Sequence, residues 1–492
     1  AMHPVRPWHA GRVPLGTRSS AKPARRALSR RKSLNAIWTR RDAVSIAADL
    51  LAFITGLTLS FNISVIGELP IAELVMLFTL PLLLAVQGRR LNRVGVKPIY
   101  ILILLWLVSQ AVADLYRQTP FVDWTRGEAT IIFFAIDFAF FVVLLGQNQR
   151  RKLGFMVGFA IGSLLIARFA PTELAADDPW KFGYATGVNL LAVLAGSYLF
   201  HIRRYLLCAL VLVGMVGINL LANFRSPVLL MLIAAPFTLP LIPERIGRLR
   251  LLPRAGSFSR MAVLALLALC AAAIAGGLVR LATTSGFIDE DAQAKNESQL
   301  QGGFLLAGRP EIVVSSRAVL EHPFIGWGSF AKSYKFVEML NDFQTKYGFQ
   351  TDLADTEENL QGLIPAHSHI MGAWVWAGML GAVFWVYIFL LAGKALLKLS
   401  LLKPPLALFY AFLLVSFLWD ILFSPFQAFR RGTESFLLVV ILDLLTRQDF
   451  AIRLFAPLSR SGWTRLSPAA RAAMIERNRT TKPGKASGLQ TS

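Results

Sequence analysis

Two histidines, His367 and His369, stand together in Ala366-His367-Ser368-His369, at the point where a polar stretch gives way to a long apolar run. Histidine changes charge near neutral pH and can take a proton from a hydroxyl. Six arginines, Arg225, Arg280, Arg309, Arg317, Arg430 and Arg431, fall in segments that flank apolar runs on the same side as these histidines. A guanidinium stays charged and can grip phosphate oxygens in a two-pronged fork. A base beside an anion clamp is the equipment for attack by a hydroxyl with departure of a phosphate-linked group. Each residue alone also has an ordinary explanation: a histidine at the membrane interface, or an arginine that snorkels to lipid phosphate or pairs with a local acid. For Arg225, pinned in the short link Asn223-Phe224-Arg225-Ser226-Pro227, a functional role is favoured. Asp114, Asp137, Asp420 and Asp443 lie in or at the ends of apolar runs, where an acid is a functional candidate by default. Asp420 is the best placed, and the other three are also read as partners for Lys or Arg between helices. No His/Asp/Glu cluster has metal-ligand spacing, and there is no phosphate-cradling Walker motif. Cys208 and Cys270 both sit inside apolar segments, which excludes a disulfide framework.

The elements that must position these residues are membrane helices. The chain has 492 residues, 55% of them hydrophobic, with a mean hydropathy of +0.54. Runs of about 18 to 22 uncharged residues are long enough to cross the hydrocarbon layer as helix and do not alternate as barrel strands would. The fold class expected is an all-α polytopic membrane protein with about 12 spans, at 44–66, 69–87, 98–116, 129–147, 153–170, 185–201, 204–223, 226–243, 261–282, 370–392, 404–424 and 433–446. Positive charge recurs in every second linker: Arg89-Arg90, Arg150-Arg151-Lys152, Arg203-Arg204, the five arginines from Arg245 to Arg260, then Lys394 to Lys403. The intervening linkers are poorer in cations, and one carries Glu173, Asp177 and Asp178. The positive-inside rule then puts both termini in the cytoplasm. It also explains the net charge of +22 without nucleic acid as a partner. Residues 1–43 and 447–492 read as basic cytoplasmic tails, the first either lying against anionic lipid or, as is favoured, only fixing orientation. The first apolar run is too long for a cleaved signal, so it is read as a span.

Between spans 44–282 and spans 370–446 lies the one extended polar segment, 283–369, which the charge pattern places outside. A solute carrier has little use for such a loop, whereas an enzyme can cover a site with it. A helix is expected to start at Pro310 and to end at His322-Pro323. Phe336, Leu340, Phe343 and Tyr347 repeat at helical spacing in a second piece, and an acidic stretch follows from Asp352 to Glu358.

Three patches resemble the bacterial O-antigen ligase and O-antigen polymerase superfamily. Gly308-Arg309, a short helix and then His322-Pro323-Phe324-Ile325-Gly326-Trp327-Gly328 resemble its loop pattern. His367-Ser368 with Gly378 and Gly381 resembles its approach to the next span, and Phe224-Arg225-Ser226 its arginine patch. The likeness covers mainly residues 220–435, with the order, spacing and span count in agreement. The sequence departs from the pattern where Trp376-Ala377 replace a frequent Glu and where no Ser precedes Arg225. The resemblance implies a glycosyltransferase of the bacterial inner membrane, with its active site on the periplasmic face. It would transfer a glycan, with inversion and without metal or cofactor, from a polyprenyl pyrophosphate to an acceptor hydroxyl on a lipid core or another glycan. His367 would be the base, and Arg225 and Arg309 the clamp, with Arg280, Arg317, Arg430, Arg431, His369 and Asp420 as further substrate-binding candidates. Ligation of a finished glycan is favoured slightly over polymerisation of repeat units. A lipid-linked glycan flippase or transporter is the reading from another class, weakened because the linker at His201–Arg204 is short and the large loop comes late.

Overall fold

The computed structural model describes residues 43–64, 67–241, 257–284, 310–346, 361–402, 404 and 406–446. The chain divides at Leu51, and the described part of the first unit is the opening of an apolar helix, α1 (Ala43–Thr58). A short antiparallel hairpin, β1 (Asn62–Ser64) and β2 (Glu68–Pro70), and an isolated bridge between Lys332 and Leu363 depart from an all-helical reading. The helices are α2 (Ile71–Gln87), α3 (Val96–Arg117), α4 (Phe121–Leu144), α5 (Gln149–Phe169), α6 (Glu173–Asp177), α7 (Ala185–His201), α8 (Tyr205–Leu221), α9 (Arg225–Ala234) and α10 (Ser257–Thr284). They continue as α11 (Glu311–Glu321), α12 (Tyr334–Lys346), α13 (His369–Ala377), α14 (Met379–Leu402), α15 (Ala407–Phe423) and α16 (Ala428–Thr446). Among the described residues, seven helices are long and apolar enough to cross a membrane, and α1, α8, α9 and α15 are shorter apolar helices. The protein is a multi-pass α-helical membrane protein.

The core forms where α4 packs against α2, α3 and α16, and α14 against α3, α15 and α16. Its filling is aromatic: Phe134, Phe138, Phe141, Phe155, Phe384, Trp385 and Phe436 are fully buried. At one end of this bundle Asp443 of α16 binds Lys152, Arg93 at 3.2 Å and Gln149 at 3.3 Å. Asp443 is thus a tie between helices, as one of its two sequence readings has it.

Three spans differ from their expected form. The span expected at 44–66 is helical only to Thr58, and the strand β1 falls within the rest of that range. The span expected at 226–243 is α-helical only to Ala234 and then tightens to a 3₁₀ helix, Ala235–Leu241, which contains Pro236 and Pro240. The span expected at 370–392 is broken at Gly378, whose backbone has φ +78° and ψ −162°, a region essentially closed to residues with a Cβ. The break releases the carbonyls of the preceding turn, and all three find donors. Val375 O accepts from Trp327 N at 2.7 Å, Trp376 O from Gly328 N at 3.0 Å, and Ala377 O from Ser109 Oγ at 2.6 Å. In return, Met379 N donates to Phe324 O at 3.3 Å. The His322–Gly328 loop is therefore stitched into the gap of a span.

The polar segment is folded where it is described. Pro310 stands at the N-cap of α11, and His322 and Pro323 terminate it, as the sequence predicts. Val314, Ala318 and Val319 of α11, Phe336 and Leu340 of α12, Ile364 and Val375 make one buried cluster, against which Trp327 and Trp374 pack. Tyr347 and the acidic stretch from Asp352 to Glu358 lie outside the described residues. Asp114, a span acid, supplies the second anchor: its carboxylate accepts Ser329 N at 2.6 Å, Ser329 Oγ at 2.7 Å and Gln110 Nε2 at 3.2 Å.

Candidate functional site

Between this folded segment and the bundle lies a cleft of about 1100 Å³. Its wall includes His367, Ser368 and His369, the arginines Arg126 and Arg431, and Lys332. Aromatic rings contribute the apolar part of the wall, among them Trp106, Phe330, Trp376 and Trp385. The volume is at the upper end of small-molecule sites and suits a ligand larger than one sugar ring.

The histidines owe their places to the start of α13. Ser368 is its N-cap: the Ser368 hydroxyl accepts Met371 N at 3.3 Å and donates to Ile421 O at 3.0 Å. His367 therefore sits one residue before the cap, and His369 is the first helical residue. Their environments diverge. His369 is buried, with Nδ1 2.6 Å from Ser424 O and Nε2 2.5 Å from Glu434 Oε1. A carbonyl only accepts, so Nδ1 carries a hydrogen, and a second proton lies between Nε2 and Glu434. Its ring is also wedged edge-on against Trp385, with centroids 4.7 Å apart. His369 has no nitrogen left for a substrate. The His367 side chain keeps 29% of its surface exposed, and its Nδ1 is buried without a hydrogen-bond partner among the described residues. Nδ1 lies 4.0 Å from Glu311 Oε1.

The arginines separate in the same way. Arg431 is buried and held by Glu73 through Nε at 2.6 Å and Nη2 at 2.8 Å, with Nη2 also 3.4 Å from Glu68 O. Arg430 is bound to Asp420 at 2.7 Å, and Asp420 also accepts from Ser424 Oγ at 2.8 Å. These three sequence candidates are thus engaged in pairs, with Arg431 alone of them on the cleft wall. Arg317 is exposed on α11 and 3.6 Å from Glu321. Arg280 is exposed on α10, and Arg225, half-buried at the first turn of α9, donates to Asn223 Oδ1 at 3.3 Å. None of these last three lines the cleft. Arg309 lies outside the described residues.

Three participants escaped the sequence reading. Arg126 stands on the first turns of α4, its guanidinium 4.2 Å from the Phe330 ring centroid and 3.9 Å from Asp123. Lys332 lies 3.9 Å from the same Asp123. At these separations Asp123 is a loose counter-ion for two cations. Arg126 carries the same signal as the other arginines, a cation in a linker on the side where cations are rare, but it is not among the six that the sequence reading singles out. Glu311, buried behind His367 on α11, had no signal beyond its place three residues after Gly308.

At the end of α11, away from the cleft lining, a hydrogen bond from Lys335 at 2.7 Å holds the Glu321 carboxyl below its ordinary range. Partial burial, with a lesser contribution from the Arg117 guanidinium, holds the His322 imidazole below its ordinary value. Arg117 also binds Gly326 O at 2.9 Å, so the charge opposing His322 is itself a loop anchor.

No family model matches this chain, and no curated protein matches it either.

Proposed function

We propose that the protein is a membrane glycosyltransferase that moves a glycan from a polyprenyl pyrophosphate to an acceptor hydroxyl at the outer face of the bacterial inner membrane. The observation that carries this reading is His367: an imidazole on the wall of a large cleft, free of the pairing that immobilises His369, with Arg126 and Lys332 on the same wall. His367 takes the proton of the acceptor hydroxyl while its oxygen attacks the anomeric carbon. The bond from that carbon to the pyrophosphate oxygen breaks, its electron pair leaves on the phosphate, and the anomeric configuration inverts. Fixed cations meet the charge on the leaving group. Arg126 and Lys332 are assigned this work, together with Arg309, which stands two residues before Glu311 in the chain. Aromatic rings along the cleft give sugar faces a surface to lie on. The resemblance to the O-antigen ligase and polymerase superfamily supports the same chemistry, with about 12 spans and both termini in the cytoplasm.

The test is a surface-glycan profile of cells lacking the protein, restored with wild type or with His367→Ala. The expected result is normal glycan with wild type and none with the variant at equal expression. Normal glycan from His367→Ala would overturn the proposal. Polymer stranded on the lipid carrier marks a ligase, the favoured case, and single repeat units mark a polymerase.

A further inference from the structure

We infer that Glu311 is the positioning residue for His367, holding the Nδ1 edge of the ring so that Nε2 meets the acceptor hydroxyl. The inference rests on the proposed role of His367 as base. Glu311 is 5% exposed, and its Oε2 has no hydrogen-bond partner among the described residues. Its other oxygen faces the buried, unpartnered Nδ1 of His367. Burying an unpaired carboxylate and an unpaired ring nitrogen is costly, and two such groups side by side satisfy each other if they close. An acid in the first turn of α11 also suits the helix dipole, but that benefit asks for no burial and no histidine. Among the described residues, the neighbouring cations Arg317 and Lys335 are both on Glu321 instead.

The comparison that fixes the assignment lies two residues away. His369 and Glu434 form the closed version of the same pair, with the second ring nitrogen spent on Ser424 O. His367 and Glu311 form the open version. The 4.0 Å gap exceeds a hydrogen bond, as catalytic contacts often do before substrate arrives, and a small side-chain rotation closes it. Glu311 then accepts the Nδ1 hydrogen, which fixes the tautomer with Nε2 as the base. The acceptor's proton goes to Nε2, and Glu311 stays ionised beside the imidazolium. Glu311 itself does not line the cleft, so it acts through His367.

The experiment combines a spectroscopic and a cellular readout on the full chain. Protein labelled with ¹⁵N at its six histidines is reconstituted in lipid, and the His367 signals are assigned by their loss in His367→Asn. Wild type is expected to show hydrogen on Nδ1, and Glu311→Ala to lose that preference. In cells, Glu311→Ala is expected to slow glycan transfer on the order of 10²-fold, the usual scale of a general base. Glu311→Gln, which keeps the shape and the accepting oxygen but not the charge, is expected to keep the tautomer and to fall between. This variant guards against misfolding of α11 in the alanine form. An unchanged tautomer in Glu311→Ala overturns the inference whatever the cells show. A tautomer that depends on Glu311, with normal glycan from His367→Ala, instead overturns the base reading on which it rests.

Discussion

At the scale of single residues, His367 and His369 contrast: both line the cleft, but only His369 is bonded at both ring nitrogens. Removing one member of a buried, hydrogen-bonded pair strands the other. His369→Ala or Glu434→Ala should therefore cost about 3–5 kcal/mol, and Arg431→Ala, which strands Glu73, a similar amount. Thermal unfolding of purified protein in detergent checks this: the midpoint should fall for these three variants and stay near wild type for His367→Ala. Equal loss for His367→Ala would mean that it too is structural. His367, His369, Arg430 and Arg431 were visible in the sequence as types, but their states were not, and Arg126, Lys332 and Glu311 were not singled out at all. His369 is occupied by Ser424 and Glu434, 55 and 65 positions away, and Arg431 by Glu73, 358 positions away. Pairing over such distances has no local periodicity to betray it, whereas Ser368 as a cap follows from its place before an apolar run.

At the scale of elements, the loop from His322 to Ser329 is held by span residues. Asp114→Ala should remove the bonds to Ser329 and release the loop, at about 1.5–3 kcal/mol for a hydrogen bond to a charged group. Faster proteolysis or hydrogen exchange across residues 323–331 would register it, and unchanged protection would reassign Asp114 to another task. Acid should act on the same loop. His322 binds its proton more weakly when folded, so its contribution is complete above about 6.5, the ordinary histidine value, and declines as pH falls below it. Glu321 contributes above its ordinary value of 4.5 and loses that as pH falls through its lower folded value. Both run the same way, so protection of α11 and α12 should fall in two steps as pH drops, the first below about 6.5 and the second below about 4.5, and His322→Asn should abolish the first. Helices α11 and α12 were legible from Pro310, His322-Pro323 and the Phe336–Leu340 spacing. The break at Gly378 was not, because a glycine among apolar residues looks the same inside a span as at its interruption.

For the whole molecule, the alternation of charged linkers makes a prediction independent of chemistry. Reporters fused to the two tails should respond from one side of the membrane, and a single cysteine at Lys332 should be labelled from the other by an impermeant reagent. Labelling of position 332 from the side of the tails would invert the molecule and remove the cleft from the outer leaflet. The class was plain from run length and hydropathy alone, since apolar runs of this length have few other destinations. How the spans pack was not, because a helix apolar on all sides shows no stripe to mark its buried face.

The gap at Gly378 also sets two folds of one segment against each other. In an unbroken helix the carbonyls of Val375 and Trp376 would belong to the amides of Met379 and Leu380. In the protein they belong to Trp327 and Gly328. Each carbonyl serves one rival or the other, so healing the span evicts the loop. Gly378→Ala, a substitution that strengthens helices almost anywhere else, should here act as sabotage: a straighter, more regular span, and a polar segment unfastened from it.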